Sequence, residues 1–148
     1  MANFSISDTS TTNVIVIPSS VNKNLSILDA SYKYDEGSNI TMSGGKLLQD
    51  FTIINGSYKY KSNSSRHFLF KFNIQYKTYG IYPYEIIQVQ ITKNGTIIND
   101  KKYCYGGTTN VADDMMIFLK KNDIINIKFI NIPSIELLKD SYILFSPL

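Results

Sequence analysis

The chain has 148 residues, 43% hydrophobic and 18% charged, with a net charge of +3. That length supports one domain with its own core, and the composition excludes intrinsic disorder. The longest basic clusters are the pairs Lys101-Lys102 and Lys120-Lys121, which argues against nucleic-acid binding because that needs a concentrated basic stripe.

One cysteine, Cys104, excludes an internal disulfide framework and reads as an ordinary strand residue, with the only histidine, His67, distant in sequence. No apolar run reaches the ~18 residues of a membrane helix. Met1-Ala2-Asn3-Phe4-Ser5 lacks the features of a secretory signal, so synthesis in a cytoplasm is expected. Triplets such as Asn24-Leu25-Ser26, Asn55-Gly56-Ser57 and Asn94-Gly95-Thr96 are then expected to stay unglycosylated. The bias toward Asn, Ile, Lys and Tyr points to an AT-rich gene.

Residues 1–13 are rich in Ser, Thr and Asn and read as an irregular arm. From residue 14 to 148, β signals recur about every eight to twelve residues, the spacing of a sandwich or barrel. Val14-Ile15-Val16-Ile17 reads as a strand stopped by Pro18. Ala30, Tyr32 and Tyr34 alternate with polar residues, and Asp35-Glu36 enters a turn at Gly37. A weaker strand is expected over 39–42, a break at Gly44-Gly45, and a strand over 47–54 that runs into the Asn55-Gly56 turn. Tyr58 and Tyr60 alternate with Lys59 and Lys61.

The clearest strand covers residues 67–76, with Phe68, Phe70, Phe72, Ile74 and Tyr76 on one face and Leu69, Lys71, Asn73 and Gln75 on the other. Large apolar residues at strict period two do not fit a helix stripe. Residues 85–93 repeat the pattern through Ile87, Val89 and Ile91. Asn94-Gly95 then predicts a two-residue type I′ hairpin, because both central residues need positive φ. Further strands are expected over 102–105, 114–119, 125–129 and 141–145, with a tight turn at Lys121-Asn122-Asp123. Residues 132–140 are the one expected helix, with Pro133 suited to its first position.

Two stretches stand apart. Met115-Met116-Ile117-Phe118-Leu119 and Tyr142-Ile143-Leu144-Phe145 are apolar on both strand faces. One face of each can enter the domain's core, and the other needs a second apolar surface, most simply another subunit. The expected interface residues are Met116, Phe118, Tyr142, Ile143 and Phe145.

From about residue 63 onward the order of these features resembles the C1q/tumour-necrosis-factor-like jelly roll. His67-Phe68-Leu69-Phe70-Lys71-Phe72-Asn73-Ile74 is similar to that family's aromatic-alternating strand. Val89-Gln90-Ile91-Thr92-Lys93-Asn94-Gly95 is similar to its leucine-x-lysine-asparagine-glycine hairpin. Leu119-Lys120-Lys121-Asn122-Asp123-Ile124-Ile125 resembles its leucine-x-x-glycine-aspartate turn, with Asn122 in place of the glycine. Ser141-Tyr142-Ile143-Leu144-Phe145 lies where its closing strand does. The resemblance implies an all-β, single jelly-roll sandwich of about eight to ten antiparallel strands over residues 14–148. It also implies a homotrimer packed edge to face; the number three comes from the resemblance alone.

Candidate chemistry is sparse. Asp113-Asp114 is the one paired carboxylate in a position to start a Ca²⁺ site, but no further acidic ligand lies nearby in sequence, and a solvated strand entry is the stronger reading. Ser64-Ser65-Arg66-His67 offers hydroxyls and an imidazole without a nucleophile elbow. Gly44-Gly45-Lys46 lacks the remainder of a phosphate-binding loop. No cofactor, metal or catalytic residue is assigned. The loop over 76–84 carries Tyr76, Tyr79, Tyr82 and Tyr84 and suits protein contact or stacking on sugar rings.

Two function classes follow. One is a non-enzymatic structural component of a virion (capsid, decoration or fibre-head protein), located in the virion and contacting other virion proteins. The other is a trimeric head domain that binds a receptor or glycan through the tyrosine loop. Neither involves nucleic acid or membrane insertion.

Overall fold

The computed structural model describes residues 23–78, 86–104, 108–132 and 135–148. The expected N-terminal arm and the strand at Val14–Ile17 lie outside them. Among the described residues the chain forms twelve strands and no helix. They are β1 (Asn24–Ile27), β2 (Tyr32–Tyr34), β3 (Gly44–Lys46), β4 (Phe51–Ile54), β5 (Ser57–Tyr60), β6 (Arg66–Thr78), β7 (Ile86–Lys93), β8 (Thr96–Cys104), β9 (Thr108–Leu119), β10 (Ile124–Ile130), β11 (Ile135–Leu137) and β12 (Tyr142–Pro147).

All pairings are antiparallel and give two sheets. The larger runs β2-β11-β6-β12-β1-β3, with β9 paired to β6; the smaller runs β4-β5-β10-β7-β8. A strand has only two edges, and β12 and β9 pair with the same stretch of β6, so β9 lies opposite β12 and β11. The fold is an all-β jelly-roll sandwich, as the resemblance implied.

The core lies between the sheets, and β6 dominates it. Phe68, Phe70, Phe72, Ile74 and Tyr76 are each at most 2% exposed. From β12, Phe145 stacks on Phe51 with ring centroids 4.1 Å apart and meets Phe70 at 5.1 Å. The smaller sheet answers with Ile87, Val89, Ile91, Ile125, Ile127 and Phe129, all buried. Period-two alternation aims each of these rows at the other sheet.

Buried tyrosines anchor the irregular segment that follows β2. The Tyr58 hydroxyl accepts the Met42 N–H at 3.0 Å and lies 2.6 Å from Ser26 Oγ. Ser26 gives its one proton to the Met42 carbonyl, so Tyr58 donates to Ser26. Burial pushes Tyr58 up to about 12, so the phenol stays neutral and keeps that donor. Tyr34 accepts the Phe129 N–H at 3.0 Å and donates to the Ser38 carbonyl.

Asn94 and Gly95 have φ of 53° and 83°, the type I′ hairpin that the sequence predicts, and Asn55-Gly56 repeats it with 51° and 77°. Four expectations change, the first being the strand expected over 47–54, which begins only at Phe51 after a turn over 48–50. Residues 132–140 hold no described helix; β11 lies there, paired with β2 on one side and β6 on the other. Ile135 and Leu137 are fully buried with Glu136 between them, an alternation that two flanking strands impose over local helix propensity. Residues 39–42 form only one bridge, Asn39 to Lys128, although Ile40 and Met42 are fully buried. Gly44-Gly45 does not break the sheet: it is part of β3, whose partner is β1.

Gly45 has a φ of +82°, and a Cβ there would lie 2.4 Å from the Leu25 carbonyl oxygen. Gly95 has nearly the same φ, +83°, with nothing within 4 Å. Alanine at either site meets similar backbone strain, on the order of 1 kcal/mol, but only Gly45→Ala adds a clash with main chain. Urea denaturation is expected to show Gly45→Ala losing at least about twice the stability that Gly95→Ala loses. Equal losses would contradict the close approach of β3 to β1.

Candidate functional site

The outer face of the larger sheet is set by the parity of β6 and β9. With Phe68 to Tyr76 turned inward, His67, Leu69, Lys71, Asn73 and Gln75 turn outward. The register sets them beside Phe118, Met116, Asp114, Ala112 and Asn110 of β9, respectively. The result is a ladder of rows: two apolar-rich (His67–Phe118 and Leu69–Met116), then a charged row (Lys71–Asp114), then Asn73–Ala112. Met116 is 62% exposed and Phe118 38% exposed; Ile54, Ile86 and Ile97 on the smaller sheet are exposed to a similar degree, but Met116 and Phe118 adjoin each other and Leu69 in one patch. The His67 ring lies 4.8 Å from that of Phe118.

The same parity separates the five expected interface residues. Ile143 and Phe145 point inward and are fully buried, so within one protomer they are core residues. Tyr142 faces outward but is only 4% exposed, gathered with Leu25 and Leu144 into a second small cluster against which Ile27 packs. Met116 and Phe118 are the two with substantial exposed surface. Of the four tyrosines assigned to recognition, Tyr76 is fully buried against Phe129, with ring centroids 6.1 Å apart. It is therefore a core residue and not part of a recognition surface. Tyr79, Tyr82 and Tyr84 lie outside the described residues.

Alternation also divides the paired carboxylate. Asp113 turns toward the open edge of the sandwich, where its carboxylate takes a 2.6 Å ion pair from Lys101 of β8. That hydrogen bond holds Asp113 below the usual carboxylate range against the opposing effect of burial. Asn99 Nδ2 reaches Met115 Sδ at 3.6 Å along the same edge, so β8 and β9 close the gap between the sheets. Asp114 points to the other face, and the two aspartates do not converge. Among the described residues no group of three or more His, Cys, Asp or Glu side chains is placed to hold a metal. Ser64 accepts the Tyr60 hydroxyl through its carbonyl, while His67 lies on Phe118.

One end of the ladder is fixed by Asp123, which the sequence marks only as a turn residue. Its Oδ1 accepts from Asn94 Nδ2 at 2.9 Å and its Oδ2 from the Lys120 N–H at 2.8 Å, tying two turns together. Asn94 Oδ1 in turn accepts the Ile124 N–H at 2.9 Å. Lys93 Nζ lies 3.9 Å from Asp123 and donates to the Phe118 carbonyl at 2.7 Å, so the cluster holds the β9 backbone where Phe118 is presented.

This chain has the C1q/TNF-like jelly-roll fold. It is similar to the structure of Eiger TNF from S. frugiperda, with a TM-score of 0.61 over 86% of this chain and 93% of that one, at 8% identity. It is also similar to the globular domain of zebrafish complement 1qA, with a TM-score of 0.57 over 86% and 95% of the two chains, at 14% identity. No family model matches the sequence, and no curated protein matches it.

Burial works against the charge on Asp123, but the hydrogen bonds from Asn94 and Lys120 and the nearby lysine charges outweigh it and hold its carboxyl below the usual range. A lowered folded pKa stabilises the fold above the ordinary carboxylate range and loses that contribution as pH falls through it. Asp123→Ala is expected to cost about 1–3 kcal/mol near neutral pH. The gap from wild type should narrow below about pH 4. Denaturant titrations at several pH values check this; a gap that stays constant into strong acid would contradict the charged clamp.

Proposed function

We propose that this domain is a non-enzymatic module that works by assembling with copies of itself, as a homotrimer, through the outer face of β6 and β9. The observation that carries the reading is the exposure of Met116 and Phe118, side by side on one face of β9 and in register with Leu69 and His67 of β6, so that they form one apolar patch. Removing such side chains from water is favourable by about 25 cal/mol per Å², and a subunit surface is the simplest way to do it. The threefold number rests on the sequence resemblance and the shared fold.

In its finer form the reading places the domain in a virion, as a capsid, decoration or fibre-head protein. The jelly roll and the lack of a recognisable catalytic motif support that form. A second reading, a head domain that binds a receptor or glycan, is favoured by similarity to the globular domain of complement 1qA. Both readings require the same assembly.

Sedimentation velocity tests it. The wild type is expected to sediment as three chains, and Met116→Asp and Phe118→Asp as folded monomers with unchanged far-ultraviolet dichroism. Phe145→Asp is expected to unfold instead, because its ring is in the core. A monomeric wild type at micromolar concentration, or aspartate variants that sediment as the wild type does, would overturn the reading.

A further inference from the structure

The charged row of the ladder has an unusual state. Lys71 and Asp114 are register partners on adjacent antiparallel strands, both exposed and both on the outer face. Opposite charges so placed are expected to pair with each other. Among the described residues, however, no ion pair or hydrogen bond engages the Lys71 ammonium or the Asp114 carboxylate. The two instead flank an open notch of about 440 Å³, also lined by Asn73, Ala112 and Tyr142. Small Ala112 leaves the space, and Asn73 is held aside by Asn110 Nδ2 at 3.1 Å.

We propose that Lys71 and Asp114 form ion pairs between copies of this chain, with the ammonium of one protomer meeting the carboxylate of the next. This rests on the self-association reading above and adds to it the contact that sets alignment. An apolar contact through Leu69, Met116 and Phe118 is non-directional and tolerates sliding along the strand. A charge of each sign at a fixed step beyond that contact penalises displaced arrangements, because sliding leaves both charges desolvated and unpaired. Each protomer carries both charges, so around a threefold axis the lysine of each can meet the aspartate of the next, and the ring closes without a different partner. The notch gives the incoming side chain room.

The test separates exchange between copies from pairing within one. Lys71→Asp and Asp114→Lys are each expected to weaken assembly by about tenfold or more in sedimentation, while remaining folded because both sites are exposed. An equimolar mixture of the two variants is expected to recover assembly in part, since a ring of three that contains both chains has two opposite-charge contacts and one like-charge contact, where either variant alone has three like-charge contacts. Lys71→Gln and Asp114→Asn give the same comparison with less perturbation should a reversal disturb folding, each weakening assembly and leaving it less sensitive to salt. Reversed variants that assemble like wild type would overturn the inference and leave the self-association reading standing. So would a mixture that assembles no better than either variant alone, which would mean that the charges act within one chain or on a small ligand. A wild type that does not assemble would overturn the self-association reading itself.

Discussion

The constraint on which the structure depends is the alternation of side chains along β6. Its inner row of four aromatics and one isoleucine fills the sandwich, and fixing that row fixes the outer row as well, because a one-residue slip would exchange the two faces. β9 is locked to β6 over its full length, so its own two faces are assigned by the same choice. The exposed Met116 and Phe118 are therefore a consequence of where the core lies. An apolar surface outside is the counterpart of an aromatic surface inside.

The remaining polar groups support that division. Tyr58 takes the Met42 N–H and Tyr34 donates to the Ser38 carbonyl, so the segment that follows β2 packs against the sheets without a ladder of its own. Lys101 and Asp113 close the open edge between β8 and β9. Asp123 ties the β7–β8 and β9–β10 turns and, through Lys93, the end of β9. These interactions keep the outer face rigid. A rigid face binds with less ordering cost than a mobile one.

The parts of the fold that depend on local pattern were legible in the sequence. β6 and β10 alternate throughout, β7 alternates as far as Ile91, and the Asn-Gly pairs demand positive φ wherever they fall. β11 was not legible, since Glu136-Leu137-Leu138-Lys139 has helical propensity and only β2 and β6 make it a strand. β3 was hidden because two glycines resemble a break. The doubly apolar stretches showed that both faces are apolar but not which residue faces where: Ile143 and Phe145 turn in, while Tyr142 and Leu144 turn out. Tyr76 carried a usable signal, because it continues the row from Phe68 at period two, and that row ends in the core. The Lys71–Asp114 row depends on register across some forty residues of chain, which no local pattern records.

The claim at the centre of this account is that another copy of the chain covers the exposed thioether of Met116. Peroxide oxidation followed by mass spectrometry measures that cover directly, with fully buried Met42 as the internal reference. The account predicts that Met116 is protected at high protein concentration and oxidised progressively faster on dilution, while Met42 stays slow throughout. Oxidation of Met116 at one fast rate across the whole concentration range would contradict it.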